Sequence, residues 1–125
     1  MTENKRLLIA EDDAAIVKLE QTLLASAGYD FDAAGTVAEA VTALKSRTYH
    51  AVPLDAGLPD ESGFALGERI RRDPEPGHPN VIFLTARADA ASTREGFSVG
   101  GVFYLTKPFS KAKLLDVVMA VTEMG

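Results

Sequence analysis

Five short apolar runs, separated by stretches of helical spacing, restrict what this chain can fold into more than any other feature. Leu7–Ala10, His50–Leu54, Val81–Leu84 and Val102–Leu105 are too short for helices and suit strands buried on both faces. Tyr29 to Ala33 alternates and reads as a further strand. Between them, Ile16, Leu19, Leu23, Leu24 and Ala27 recur at helical spacing until Gly28 stops them. Thr36-Val-Ala-Glu39 is a capping box opening a helix whose apolar face is Val37, Ala40, Val41 and Leu44. Phe64, Leu66 and Ile70 mark a third helix over residues 63–72. The loop D-P-E-P-G-H-P-N that follows excludes regular structure by its three prolines. Residues 90–99, with Gly96 inside, form a weak fourth helix. Ser110 caps a final one carrying Leu114, Leu115, Val118, Met119 and Val121. Strands alternating with helices in this way predict an α/β fold with a parallel sheet covered on both faces. Right-handed crossovers make it doubly wound, with ligands at the carboxyl ends of strands near the switch point.

Composition narrows the functions. One domain over residues 1–125 is expected, and 46% hydrophobic residues can fill one core. A formal net charge of -5 argues against a nucleic-acid surface or a polybasic membrane patch. The absence of cysteine removes disulfides, thiolate metal sites and cysteine nucleophiles. The apolar run near the N-terminus is far too short for a signal peptide or a membrane span, so the reading is a soluble, cytoplasmic protein.

The strand ends carry the chemistry. The first strand ends in Glu11-Asp12-Asp13, the third in Asp55 and the fourth in Thr85, and Lys107 follows the fifth. Carboxylates gathered at one sheet edge repel one another unless a cation is present, and an all-oxygen set suits a hard ion, Mg²⁺ before softer metals. A lysine and a hydroxyl opposite complete a set suited to phosphoryl transfer, with a carboxylate as nucleophile and an aspartyl phosphate as product. Each part alone has a plainer reading: the acidic triplet as a solvated helix N-terminus, Thr85 as a helix cap. Their recurrence at successive strand ends is what favours the chemical one.

The segments I-A-E-D-D, L-D-A-G-L-P-D-x-x-G, F-L-T-A-R and F-Y-L-T-K-P-F, in that order, resemble response-regulator receiver domains, the CheY-like phosphoacceptor modules of two-component signalling. The resemblance spans essentially the whole chain. It implies a flavodoxin-like sheet of strand order 2-1-3-4-5 with five helices. It implies that Asp55 takes a phosphoryl group from a phosphohistidine on a sensor histidine kinase or phosphotransfer protein. Thr85 and Lys107 would contact the phosphoryl oxygens, Tyr104 would be the aromatic switch, and Pro108 would follow a cis peptide. Mg²⁺ would be held by Asp12 directly, by Glu11 through water, and by Asp55 and the Gly57 carbonyl. Asp13 is then a helix cap; the alternative register uses Asp12 and Asp13 as the pair. Gly57 and Arg87 fall where the family modulates phosphate lifetime. The signal would leave by the surface of the fourth helix, fifth strand and last helix, toward an effector protein or a fused output domain.

Three departures stand out. Ala56 is smaller than the residue commonly found after the nucleophile. Gly101-Val102-Phe103 replaces acids that serve charged dimer contacts in many relatives, so a homodimer of that style is in doubt, and Phe103 and Met119 are either core or partner surface. Pro53 lies inside the third strand, where it removes a ladder donor, and predicts a bulge or missing bond beside an intact Asp55. Two other functions compete: a phosphorylation-independent pseudo-receiver scaffold, and a Mg²⁺-dependent phosphatase using an aspartyl phosphate. The second lacks the acid expected two residues after the nucleophile, where Gly57 stands. In the receiver reading the domain is no enzyme toward other substrates.

Overall fold

A computed structural model describes residues 5–72, 79–85, 101–107 and 109–124. The strands are β1 (Arg6–Ala10), β2 (Asp30–Ala34), β3 (Ala51–Asp55), β4 (Asn80–Thr85) and β5 (Gly101–Thr106). The described helices are α1 (Ala14–Ser26), α2 (Val37–Ser46), α3 (Gly63–Arg72) and α4 (Lys111–Met124), the last being the final helix expected from the sequence. All pairings are parallel, in the order β2-β1-β3-β4-β5, as the resemblance implies. The expected helix over residues 90–99, Arg87 and Pro108 lie outside the described residues.

The period of two sorts the strands between two cores. Leu8, Ala10, Val52, Leu54, Val81 and Phe83 face α2 and α3 on one side of the sheet. Leu7, Ile9, Ala51, Ile82 and Leu84 face Leu24 of α1 and Leu114, Val118 and Val121 of α4 on the other. The helix boundaries follow their caps. Thr36 accepts the Glu39 amide, Ser110 accepts the Lys113 amide, and Gly28 takes φ 89° to end α1, a conformation that costs glycine nothing. β5 carries one residue too many: Val81 pairs with Gly101 but Ile82 pairs with Phe103, so Val102 is the extra residue of a bulge. The bulge sets the phase that follows, with Phe103 and Leu105 on the α1–α4 side and Tyr104 on the α2–α3 side.

Pro53 leaves its mark on one side of β3 only. Against β4 the register is continuous from Ala51–Asn80 to Asp55–Leu84, with Pro53 opposite Ile82. Against β1 the strand pairs at Leu7–Ala51 and again at Ala10–Leu54, in the same register, and not at the two positions between. One missing donor accounts for both gaps. The His50 carbonyl accepts from Asn80, so alternation turns the backbone of Val52 and Leu54 toward β4 and the Pro53 nitrogen toward β1. There it faces the Leu8 carbonyl with no hydrogen to give. The expected defect is therefore present as a gap in the ladder, without a bulge, and Asp55 keeps its place at the strand end.

The largest conflict with a clean core is Glu20. It is wholly buried on α1, and neither carboxylate oxygen has a hydrogen-bond partner among the described residues. Burial, then the nearby charge of Glu11, pushes its pKa up to about 8, with Asp55 adding and Lys107 opposing. Because the folded chain holds this proton where the unfolded chain releases it, the associated stability is complete below about pH 4.5 and is lost as pH rises toward 8.

Two stability measurements check these points. Glu20→Leu is expected to be more stable than the parent, by a gap that widens between pH 5 and 8 to a few kcal/mol, since each pKa unit is worth about 1.4 kcal/mol. A gap independent of pH in urea titrations would show Glu20 to be ionised in the fold. Pro53→Val restores a donor to Leu8. Satisfying a buried carbonyl is worth about 1–3 kcal/mol, against roughly 0.4–1 kcal/mol for the freedom regained by the unfolded chain. A net gain of about 1 kcal/mol is expected; an unchanged or lower urea midpoint would mean that the Leu8 carbonyl is already satisfied.

Candidate functional site

The carboxyl ends of β1, β3 and β4 and the residue after β5 meet at one edge of the sheet. Glu11 follows β1 and is buried, with 3% of its surface exposed. Its amide donates to the Ala34 carbonyl at the end of β2, 2.9 Å away, which fixes its backbone in the sheet. Asp55 ends β3 and is also buried. Its Oδ1 accepts the Gly57 amide at 2.8 Å, a tight turn that fixes the carboxylate relative to the loop leaving the strand. Gly63 closes that loop, its amide donating to the Ala56 carbonyl at 2.9 Å. A Cβ at Gly63 would lie 2.2 Å from the Asp55 carbonyl oxygen, so only glycine allows α3 to start this close to the strand.

Lys107 joins the two buried acids. Its ammonium lies 2.5 Å from Glu11 Oε1 and 3.3 Å from Asp55 Oδ2, and its backbone amide donates to the Thr85 carbonyl at 2.7 Å. Thr85 is itself buried and pairs with Thr106 across β4 and β5. Burial pushes the Glu11 carboxyl up to about 7, although Lys107 pulls against it and Asp55 adds to the rise. Burial acts to lower the Lys107 pKa, yet the two acids outweigh it and hold the ammonium above its ordinary value.

The acidic triplet divides by direction. Asp13 turns back onto α1 as its N-cap, its Oδ1 accepting from Ala15 at 2.9 Å and Ile16 at 3.4 Å. Glu11 and Asp12 turn to Asp55 instead, and one oxygen from each of the three lies within 4.8 Å of the others. Buried Glu11 and Asp55 with exposed Asp12 form an all-oxygen cluster open on one side, a donor set that fits Mg²⁺. Gly57 is exposed beside it, and a Cβ there would stand 3.7 Å from Asp55 Oδ1, so the missing side chain leaves the mouth clear.

Tyr104 packs beneath this edge against two rings, 6.5 Å from Phe64 and 6.4 Å from Phe83, which themselves meet edge-on at 4.9 Å. Phe103 is half-buried and packs toward α4, whereas Met119 is 43% exposed. Among the described residues no helix is long and apolar enough to cross a membrane.

Two residues near the site are given no role by the sequence reading, although Asp60 is the second Asp of the L-D-A-G-L-P-D-x-x-G segment. Glu20 occupies the i+4 row shared by Ile16 and Leu24, so its inward placement is legible in the spacing of α1. Asp60 is not, because its partners lie on another helix. Its Oδ1 accepts the Val37 amide at 2.8 Å and its Oδ2 the Ala38 amide at 3.1 Å, and these bonds, the Val37 one first, hold its carboxyl below the usual range.

Comparison with known proteins agrees with this geometry. A family model for the response regulator receiver domain matches residues 7–119. The transcriptional regulatory protein PmrA of Pectobacterium parmentieri is 40% identical over 116 residues, covering 93% of this chain and 51% of that protein. The phosphate regulon transcriptional regulatory protein PhoB of Pseudomonas aeruginosa is 33% identical over 117 residues, covering 94% and 51%. The chain thus spans about half the length of the curated relatives it matches. Among solved structures, a putative response regulator from Chloroflexus aurantiacus J-10-fl superposes with a TM-score of 0.91 at 29% identity, over 97% of this chain and 99% of that one. Match, fold and strand-end residues together make this chain a member of the response regulator receiver domain family.

Proposed function

We propose that the domain is a phosphorylation-controlled switch in which Asp55 accepts a phosphoryl group from a phosphohistidine of a sensor histidine kinase or phosphotransfer protein. The observation that carries this reading is the single lysine, Lys107, shared between Asp55 and Glu11 beside an all-oxygen cluster. In the step, an Asp55 carboxylate oxygen attacks phosphorus. A P–O bond forms as the P–N bond breaks, and the imidazole nitrogen keeps the electron pair and takes a proton from solvent. The Gly57 amide holds Oδ1, which leaves Oδ2 on the lysine side. Lys107 then turns its charge from the acid pair to the phosphoryl oxygens, and Thr85, tied to it through the backbone, offers its hydroxyl. Asp12, Asp55 and the Gly57 carbonyl directly, and Glu11 through water, would hold Mg²⁺, which would supply positive charge to offset the carboxylates and the incoming phosphate.

The readout follows from the neighbours of Thr85. As its hydroxyl is drawn to the phosphate, Tyr104 changes its packing on Phe64 and Phe83, and the surface around β5 and α4 changes with it. Exposed Met119 supports a partner surface there. The matched relatives are transcriptional regulators about twice as long, which supports an output through a fused domain or a separate effector. The net charge of -5 supports a domain that does not itself contact nucleic acid or membrane. Residues 1–125 act as one cytoplasmic receiver unit that catalyses only its own phosphorylation and dephosphorylation. Gly57, which leaves water access, and Arg87 set the phosphate lifetime.

Incubation with acetyl phosphate and Mg²⁺ is expected to add one phosphate by mass, and Asp55→Asn none. Equal labelling of Asp55→Asn would overturn the assignment. Lys107→Ala is expected to slow labelling on the order of a hundred-fold, the usual cost of removing one donor from a developing charge.

A further inference from the structure

The loop from Ala56 to Ser62 carries the backbone that positions Asp55, and most of its hydrogen bonds among the described residues run to the strand and helix it joins. Gly57 donates to Asp55, Gly63 donates to Ala56, and Glu61 accepts from Arg69 of α3, while Ala56 and Leu58 pack into the core, so these bonds tie the loop to its own flanking strand and helix. Asp60 supplies the hydrogen-bonded tie to α2. Its two carboxylate oxygens take the first two amides of α2, 23 and 22 residues away in sequence. The remaining cap of that helix is local, with Thr36 accepting the Glu39 amide. α2 starts just after β2, whose last carbonyl, on Ala34, accepts the Glu11 amide. Bonds therefore run in a ring, from Asp55 through the loop to Asp60, across to α2 and Ala34, on to Glu11, and back through Lys107 to Asp55.

We infer that Asp60 is a positioning residue for the acidic pocket: by fastening the β3–α3 loop to the start of α2, it holds Asp55 and the Gly57 carbonyl in register with Glu11. The inference rests on the phosphoryl-acceptor reading above. A helix cap with only a structural role would weaken the fold when removed and leave the pocket alone. Asp60 and Thr36 separate these cases, because both cap α2 and only Asp60 belongs to the loop.

The test measures Mg²⁺ affinity by calorimetry, melting temperature, and amide exchange at Val37, Ala38 and Gly57 in the parent, Asp60→Ala, Asp60→Asn and Thr36→Ala. Asp60→Ala is expected to weaken Mg²⁺ binding on the order of ten-fold, the scale for losing a group that orients a metal ligand, and to speed exchange at all three amides. Asp60→Asn keeps one acceptor and is expected to fall between it and the parent. Thr36→Ala is expected to lower the melting temperature as Asp60→Ala does while leaving Mg²⁺ affinity within about two-fold of the parent. Equal losses of Mg²⁺ affinity in Asp60→Ala and Thr36→Ala would overturn the inference, as would unchanged affinity in Asp60→Ala with fast exchange at Val37 and Ala38. A parent that binds no Mg²⁺ would instead overturn the phosphoryl-acceptor reading, and the inference with it.

Discussion

Lys107 sits between two carboxylates that the sheet forces together. Parallel strands deliver Glu11 and Asp55 to the same edge, and burial makes their joint ionisation costly. The ammonium offsets part of that cost, but among the described residues one positive charge faces three acids in Glu11, Asp12 and Asp55. The Glu11 pKa rises to about 7 first through burial, which Lys107 opposes, and then through Asp55. The pocket is thus electrostatically incomplete by construction, and a positive ion at its open side is the simplest remedy. Buried Glu20 deepens the imbalance, since its ionisation would add a further negative charge behind Glu11.

Much of this is legible in the sequence, because the decisive features are local or periodic. The strand runs, the Thr36 and Ser110 caps and the strand-end residues all follow from spacing within a few residues. The division of the acidic triplet needs the structure, since composition cannot say which acid turns back onto α1. The Val102 bulge is hidden for a related reason. A run of apolar residues carries no sign of which one the partner strand skips, yet that choice decides which face Tyr104 occupies. Asp60 stands in the L-D-A-G-L-P-D-x-x-G segment, but its partners are fixed only by how α2 approaches the loop.

Pro53 obeys a local rule without the outcome that usually accompanies it. Prolines are kept out of central strands because each removes one ladder bond, and Pro53 does remove one. The strand survives because β3 is covered on both faces and continuously paired to β4, so the remaining interactions exceed one lost donor.

The position of that lost donor divides the sheet mechanically. β1 and β2 form one fully paired ribbon, and β3 with β4 begins another, joined across a seam that lacks its middle rungs. Glu11 hangs from the first ribbon and Asp55 from the second. Anything that binds both acids at once acts as a rivet across the seam. A ligand held by both acids would, by linkage, stabilise the sheet in which the two ribbons are joined.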